Sequence, residues 1–235
     1  MKLYDALIHE TLTAAAGAKR IPADSLTAWP VTENSELIMN RDAAFELGGS
    51  GCPSVNYTLV TTDAAMAGDE VLLLGPELSQ LKADAPFARV VILKTDEISE
   101  DDSGHDMIRA MEFVRYHVFP RGYMVRVSST SFEEQVRIGK DAVKQGISLA
   151  RVGRSYIDRY KAVKGVRAVK ILFVTDRAAV EKLKPNAKKA DDITRTLSHI
   201  LDGLPTDCGH CSLKAVCDEV EGMKEMHLGK KKVSS

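Results

Sequence analysis

Cysteine spacing carries the strongest chemical signal in the chain. Cys208-Gly209-His210-Cys211 followed by Cys217 is a C-x2-C-x5-C array. Two thiolates separated by two residues face one point when the chain turns back within a single loop. Gly209 removes the steric penalty of such a turn. Residues 212–216 contain no helix breaker, so a helical turn brings the third thiolate round. The fourth cysteine, Cys52, stands in Gly48-Gly49-Ser50-Gly51-Cys52-Pro53. A glycine-rich loop exposes backbone amides, which can hydrogen-bond cluster sulfides and steady a reduced, more negative cluster.

There are 4 cysteines and none is left over. Four thiolates satisfy one cubane cluster or one tetrahedral zinc. The sequence reading is one [4Fe–4S] cluster held by Cys208, Cys211, Cys217 and Cys52. Zinc is the alternative, in a four-cysteine site or in a Cys3His site completed by His210 or His227. A thiol cluster without metal is the third possibility. Spacing signals a metal far more sharply than it signals which metal.

Other candidates weigh less. The Gly48–Gly51 run lacks the G-x-x-x-x-G-K-[ST] and G-x-G-x-x-G patterns of phosphate-binding loops. Arg151, Arg154 and Arg159 fall near one predicted helix, where arginines are more often a solvated face than an anion site. His105 and His117 bracket an apolar helix and read as helix-end residues. Trp29, the single tryptophan, reads as the buried anchor of an irregular stretch containing Pro22 and Pro30.

Three segments must position these residues. Residues 1–34 form an N-terminal helix, over 2–16 from the spacing of Leu3, Leu7, Ile8, Leu12 and Ala15, and a linker. Residues 35–204 form an α+β domain with a central mixed sheet and flanking helices. Strands are expected at 43–47, 55–60, 70–74, 89–94, 123–127 and 168–174. Helices are expected at 105–119 and 149–163, in a short piece capped by Asp176, and at 191–201. Ser131-Phe132-Glu133-Glu134 has the form of a capping box, so a helix is also expected from there to Gly146. Residues 205–235 form a cysteine-rich, cluster-binding tail.

Bulk composition narrows the function classes. Hydrophobic residues make up 44% of 235, enough for a sizeable core. The balance of 32 basic and 33 acidic residues exerts no global pull on nucleic acid or membrane. No apolar stretch reaches membrane-spanning length, and residues 1–19 lack the apolar segment of a secretory signal. A cytoplasmic protein is the expectation, and in that compartment structural disulfides are rare.

Phe45-Glu46-Leu47-Gly48-Gly49, Leu74-Gly75-Pro76-Glu77-Leu78 and Ile171-Leu172-Phe173-Val174-Thr175-Asp176, followed by the cysteine array, occur in that order. In these segments the chain resembles the beta subunit of the CO dehydrogenase/acetyl-CoA synthase complex, from about Ala43 to Cys217. The resemblance implies an α+β domain of the kind that precedes the nickel-bearing active-site domain. It matches Cys208 and Cys211 to the first C-x2-C pair of that family's cluster ligands. The family's nickel-chelating Cys-Gly-Cys motif has no counterpart here. The resemblance therefore implies electron transfer or docking in anaerobic one-carbon or corrinoid metabolism, with a CO dehydrogenase-like or corrinoid protein as partner. A minimal acyl- or methyl-transferring metalloenzyme and an adaptor whose tail is stapled by zinc or a cluster are the competing readings.

Overall fold

The apolar runs of the middle of the chain become strands with few exposed positions. Every residue of Ser54–Thr61 is buried, and Phe87–Thr95 is nearly so. Strands buried on both faces need helices above and below the sheet. The structure, a computed structural model, describes residues 4–49, 51–97, 102–127, 132–201 and 214. In chain order these form α1 (Asp5–Ala14), β1 (Lys19–Pro22), β2 (Val31–Thr32), β3 (Ala43–Leu47), β4 (Ser54–Thr61), β5 (Glu70–Leu74) and β6 (Phe87–Thr95). They continue with α2 (Asp102–Tyr116), β7 (Phe119–Pro120), β8 (Tyr123–Val127), β9 (Glu134–Gly139), α3 (Lys140–Lys144), α4 (Leu149–Lys161), β10 (Val166–Val174) and α5 (Arg177–Leu201).

The main sheet has the order β1-β5-β10-β6-β4. It is mixed: β5 and β10 run parallel, as do β4 and β6, while β10 and β6 are antiparallel. One face meets α4, where Gly153 lies against Val71 and Phe173. The opposite face carries Tyr57, whose hydroxyl meets the Thr11 hydroxyl of α1 at 2.9 Å. There α5 packs on β4 and β6, and α1 on α5. A second sheet, β3-β9-β8, is antiparallel and hangs from β4 through Asn56 and Phe132, whose backbone N and O lie 2.6 Å apart. The chain is thus a mixed α+β protein with a central mixed sheet and helices, as its sequence predicts.

Three local expectations differ from the structure. Residues 134–139 form a strand, not the start of a helix, and α3 covers only Lys140–Lys144. Alternation explains the strand: Glu134, Val136 and Ile138 are buried, while Gln135 and Arg137 are only partly so. The short helix after Asp176 and the later one are a single 25-residue helix, α5, with Pro185 inside it. Val180, Leu183, Ala187 and Ala190 are buried along that helix, and their packing offsets the hydrogen bond Pro185 cannot make. The stretch around Pro22 and Pro30, expected to be irregular, contributes β1 and β2.

Candidate metal centre

Cys52 sits on the loop that carries the chain from β3 into β4. Gly48 begins it with φ +66°. A Cβ at that position would lie 2.6 Å from both the Glu134 carbonyl and the Ser54 Cβ, so only glycine fits. The Gly48 amide donates to the Ala85 carbonyl at 2.7 Å, and the Cys52 amide to the Gly49 carbonyl at 2.9 Å. Two of the loop's amides are therefore spent on holding its shape. Beyond Cys52, the Pro53 carbonyl accepts from the Phe87 amide at 3.0 Å and sets β4 alongside β6.

The Cys52 thiol is free and half-buried. Next to it, Gly51 (φ +78°) has nothing within 4 Å of where its Cβ would stand. The Arg177 guanidinium approaches from the first residue of α5, its Nη2 donating to Cys52 Sγ at 3.6 Å. Two contacts hold Arg177 there. Asp176 Oδ1 accepts the Ala179 amide at 2.9 Å, capping the start of α5. Thr175 donates its hydroxyl to the Pro76 carbonyl at 2.7 Å, tying the end of β10 to the turn after β5.

That turn is also built around glycine. Gly75 has φ +100°, and a Cβ there would fall 2.6 Å from the Thr175 hydroxyl. Glu77 follows; its Oε1 accepts the amides of Leu78 at 2.8 Å and Leu149 at 2.6 Å, fixing the N-terminus of α4. The segments 45–49, 74–78 and 171–176 thus converge at one end of the main sheet, around Cys52 and Arg177. Strand pairing dictates this: Ser54 lies beside Phe87, Ala88 beside Val174, and Val174 beside Leu74.

A free, partly exposed thiol beside a guanidinium can serve as a metal ligand. Cys208, Cys211, Cys217, His210 and His227 lie outside the described residues. Among the described residues no three His, Cys, Asp or Glu side chains gather as a metal-holding group.

The weaker candidates have structural occupations. Trp29 is buried, donates Nε1 to the Arg121 carbonyl at 2.8 Å and lies under the Arg151 guanidinium, 4.5 Å from the ring centroid. Arg154 donates to the Ala23 carbonyl at 2.6 Å and to Asp158 at 2.7 Å. His117 stacks on Phe113 and has Nδ1 2.8 Å from the Phe113 carbonyl, at the end of α2.

Sequence reasoning missed a buried polar cluster on the α4 face. Arg89 Nε lies 2.9 Å from Glu134 Oε1, and Nη2 lies 2.6 Å from Oε2. Asn56 Nδ2 donates to the same Oε2 at 2.6 Å, and Arg115 Nη2 to the Asn56 carbonyl at 2.5 Å. The Tyr156 ring lies 4.3 Å from the Arg89 guanidinium carbon. Burial opposes the Arg89 charge, but the Glu134 carboxylate outweighs it and holds the guanidinium well above its ordinary range. Both members of the pair are sealed from solvent, so the cluster braces the fold and meets no substrate. One signal was available: Arg89 is a lone charge inside Phe87-Ala88-Arg89-Val90-Val91-Ile92-Leu93, where a buried strand needs a partner for it.

A groove of about 360 Å³ also runs between α1 and the sheet, bordered by Asp5, His9, Leu12, Asp63, Ile92 and Lys170. Three of its charged groups are engaged by neighbouring protein groups. Asp5 accepts from the Thr61 hydroxyl at 3.2 Å, Asp63 from the Ala65 amide at 2.8 Å, and Lys170 pairs with Glu70 at 3.1 Å.

Comparison of the sequence with protein-family models and with curated proteins finds no match.

Proposed function

We propose that this chain is an iron–sulfur protein related to acetyl-CoA synthase, serving electron transfer or docking in anaerobic one-carbon or corrinoid metabolism. Cys208, Cys211, Cys217 and Cys52 would hold a [4Fe–4S] cluster. The observation that carries the reading is the setting of Cys52. A loop that opens on the tightly packed Gly48 presents a free thiol beside a guanidinium, and the rest of the sequence supplies the three further thiolates such a centre needs. When bound, the cluster would supply one-electron transfer, or a docking surface, to a CO dehydrogenase-like or corrinoid partner. The protein's own part would be to fix Cys52 and place a guanidinium beside it.

The reading sets a condition on the chain. With 25 residues, α5 spans about 37 Å and leads away from Arg177. For Cys52 and Cys208 of one chain to share a centre, the last turns of α5 must unwind, since residues 202–208 reach only about 25 Å fully extended. Such a link would join the cysteine tail to the glycine loop. No helix among the described residues is long and apolar enough to cross a membrane; the proposal places the protein in the cytoplasm.

Anaerobic purification followed by iron, sulfide, zinc and nickel analysis tests the proposal. Near-equal iron and sulfide, about four of each per chain for one cubane, with a reversible reduction, is the expected result. Zinc without sulfide would replace the cluster by a structural site. Nickel beside iron would favour the acyl- or methyl-transfer alternative.

A further inference from the structure

One side of α1 lines an elongated groove. Asp5, Ile8, His9 and Leu12, at helical spacing, border the hollow of about 360 Å³. A smaller hollow of about 230 Å³ continues along Leu12, Ala15 and Ala16, and the two meet at Leu12 and Lys170. We infer that the larger hollow binds an alkylammonium, a primary ammonium carried on a short hydrocarbon body. The inference is independent of the proposed metal centre.

Shape and charge carry it together. Ile8, Leu12, Met66 and Ile92 supply apolar walls, and the volume lies in the range of small-molecule sites. Leu12 stays 41% exposed at the edge, where an apolar occupant would cover it. Asp5 and Asp63 converge on Thr61, whose hydroxyl donates to Asp5 Oδ1 at 3.2 Å and accepts the Asp63 amide at 3.1 Å. Neither carboxylate has an ion-pair partner among the described residues. The protein uses Oδ1 of each, Asp5 for Thr61 and Asp63 for the Ala65 amide, which leaves Oδ2 to another donor. Lys170 does not neutralise them, because Glu70 holds it at 3.1 Å. Glu70 also takes Arg20, at 2.6 Å, and Arg20 lines the smaller hollow. His9 stands one turn on from Asp5 and borders the same space. The larger hollow thus pairs an acidic end with apolar walls. An ammonium has three N–H donors for such carboxylate oxygens, and its hydrocarbon body would lie on the apolar side chains.

The test titrates the full chain, labelled at its methyl groups, with hexylamine, hexanol and hexanoate, and follows the methyl resonances. Hexylamine should give saturable shifts at Ile8, Leu12, Met66 and Ile92. Hexanol should bind about tenfold more weakly, and hexanoate not at all. Asp5→Asn and Asp63→Asn keep an acceptor for Thr61 and Ala65 but remove the charge, and each should weaken hexylamine about tenfold. Leu12→Lys, which sets an ammonium of its own at the groove edge, should weaken it further. All three positions are exposed, so melting temperatures should hold. Nα-acetyl-lysine amide, run beside hexylamine, separates a free amine from a lysine side chain of a partner protein, the tighter of the two naming the source. Absence of saturable shifts with both ammonium compounds overturns the inference. Equal affinity for hexylamine and hexanol overturns it too, as does hexylamine binding unchanged when Asp5→Asn and Asp63→Asn are combined.

Discussion

Arg89 of β6 and Glu134 of β9 form a fully buried ion pair, with Nη2 and Oε2 2.6 Å apart. It joins the main sheet to the three-stranded one. Removing one partner strands a charge in a dry interior. Glu134→Leu or Arg89→Met should each cost about 3–5 kcal/mol. Changing both should recover part of the loss, with Asn56 Nδ2, deprived of its acceptor, holding back the rest. Denaturant unfolding of the two single variants and the double variant checks this. An additive double variant would mean that the two residues do not act as a pair.

Alkali should weaken the fold. Burial pushes the Tyr160 hydroxyl up to about 12, and drives those of Tyr4, Tyr57 and Tyr156 higher still. In the unfolded chain these groups ionise near pH 10. Above that pH the unfolded state binds fewer protons than the folded state, so stability falls as pH rises. Each such tyrosine contributes a slope of about 1.4 kcal/mol per pH unit until its folded value is reached. Stability measured from pH 8 to 12 should be flat at first and then fall steeply, with tyrosinate absorbance appearing together with unfolding. Tyrosinate forming well before unfolding would count against this burial.

Gly153 marks the closest approach of α4 to the sheet. A Cβ there would stand 2.8 Å from Val71 Cγ2 and 3.0 Å from Phe173 Cε2. Alanine gains about 1 kcal/mol of helix propensity over glycine, but overpacking a filled core costs about 1–3 kcal/mol. Gly153→Ala should therefore lower the melting temperature, whereas Gly146→Ala, with open space around it but φ +80°, tests backbone strain alone. An increase in melting temperature for Gly153→Ala would show that α4 can move outward at little cost.

Metal removal should spare the sheet. The core of β4, β6 and β10 is filled by residues such as Leu59, Val91 and Phe173, each nearly free of solvent contact. Air exposure or chelation should bleach the protein and open residues 202–235 to protease, with far-ultraviolet circular dichroism little changed. Equal protection of that segment before and after bleaching would separate it from any metal, and global unfolding would make the sheet depend on the centre.

The sequence made some of this legible and hid the rest, for identifiable reasons. Runs such as Val55–Val60 and Ala168–Val174 announce strands because β-branched, aromatic and aliphatic residues dominate them. Ser131-Phe132-Glu133-Glu134 misleads because a capping box is a local pattern, whereas Glu134 is claimed by Arg89 and Asn56 far away in sequence. Pro185 suggests a break, yet the buried face of α5 carries the helix through it. Cys52 stands out by type and by its glycines. Its neighbour Arg177 does not, because only the strand order brings residue 177 to the start of β4.

That strand order also bears on how the chain reaches its native state. β10 sits between β5 and β6 and is the last of this sheet's strands in chain order. Until it arrives, β1 with β5 and β4 with β6 are two unjoined ribbons, each with an open apolar edge. Closing the sheet means bringing together segments about a hundred residues apart in sequence, a slow step in chains of high contact order. A nascent chain halted before residue 166 therefore carries two sticky edges with no strand to cover them, which makes that interval the one where misassembly competes with folding.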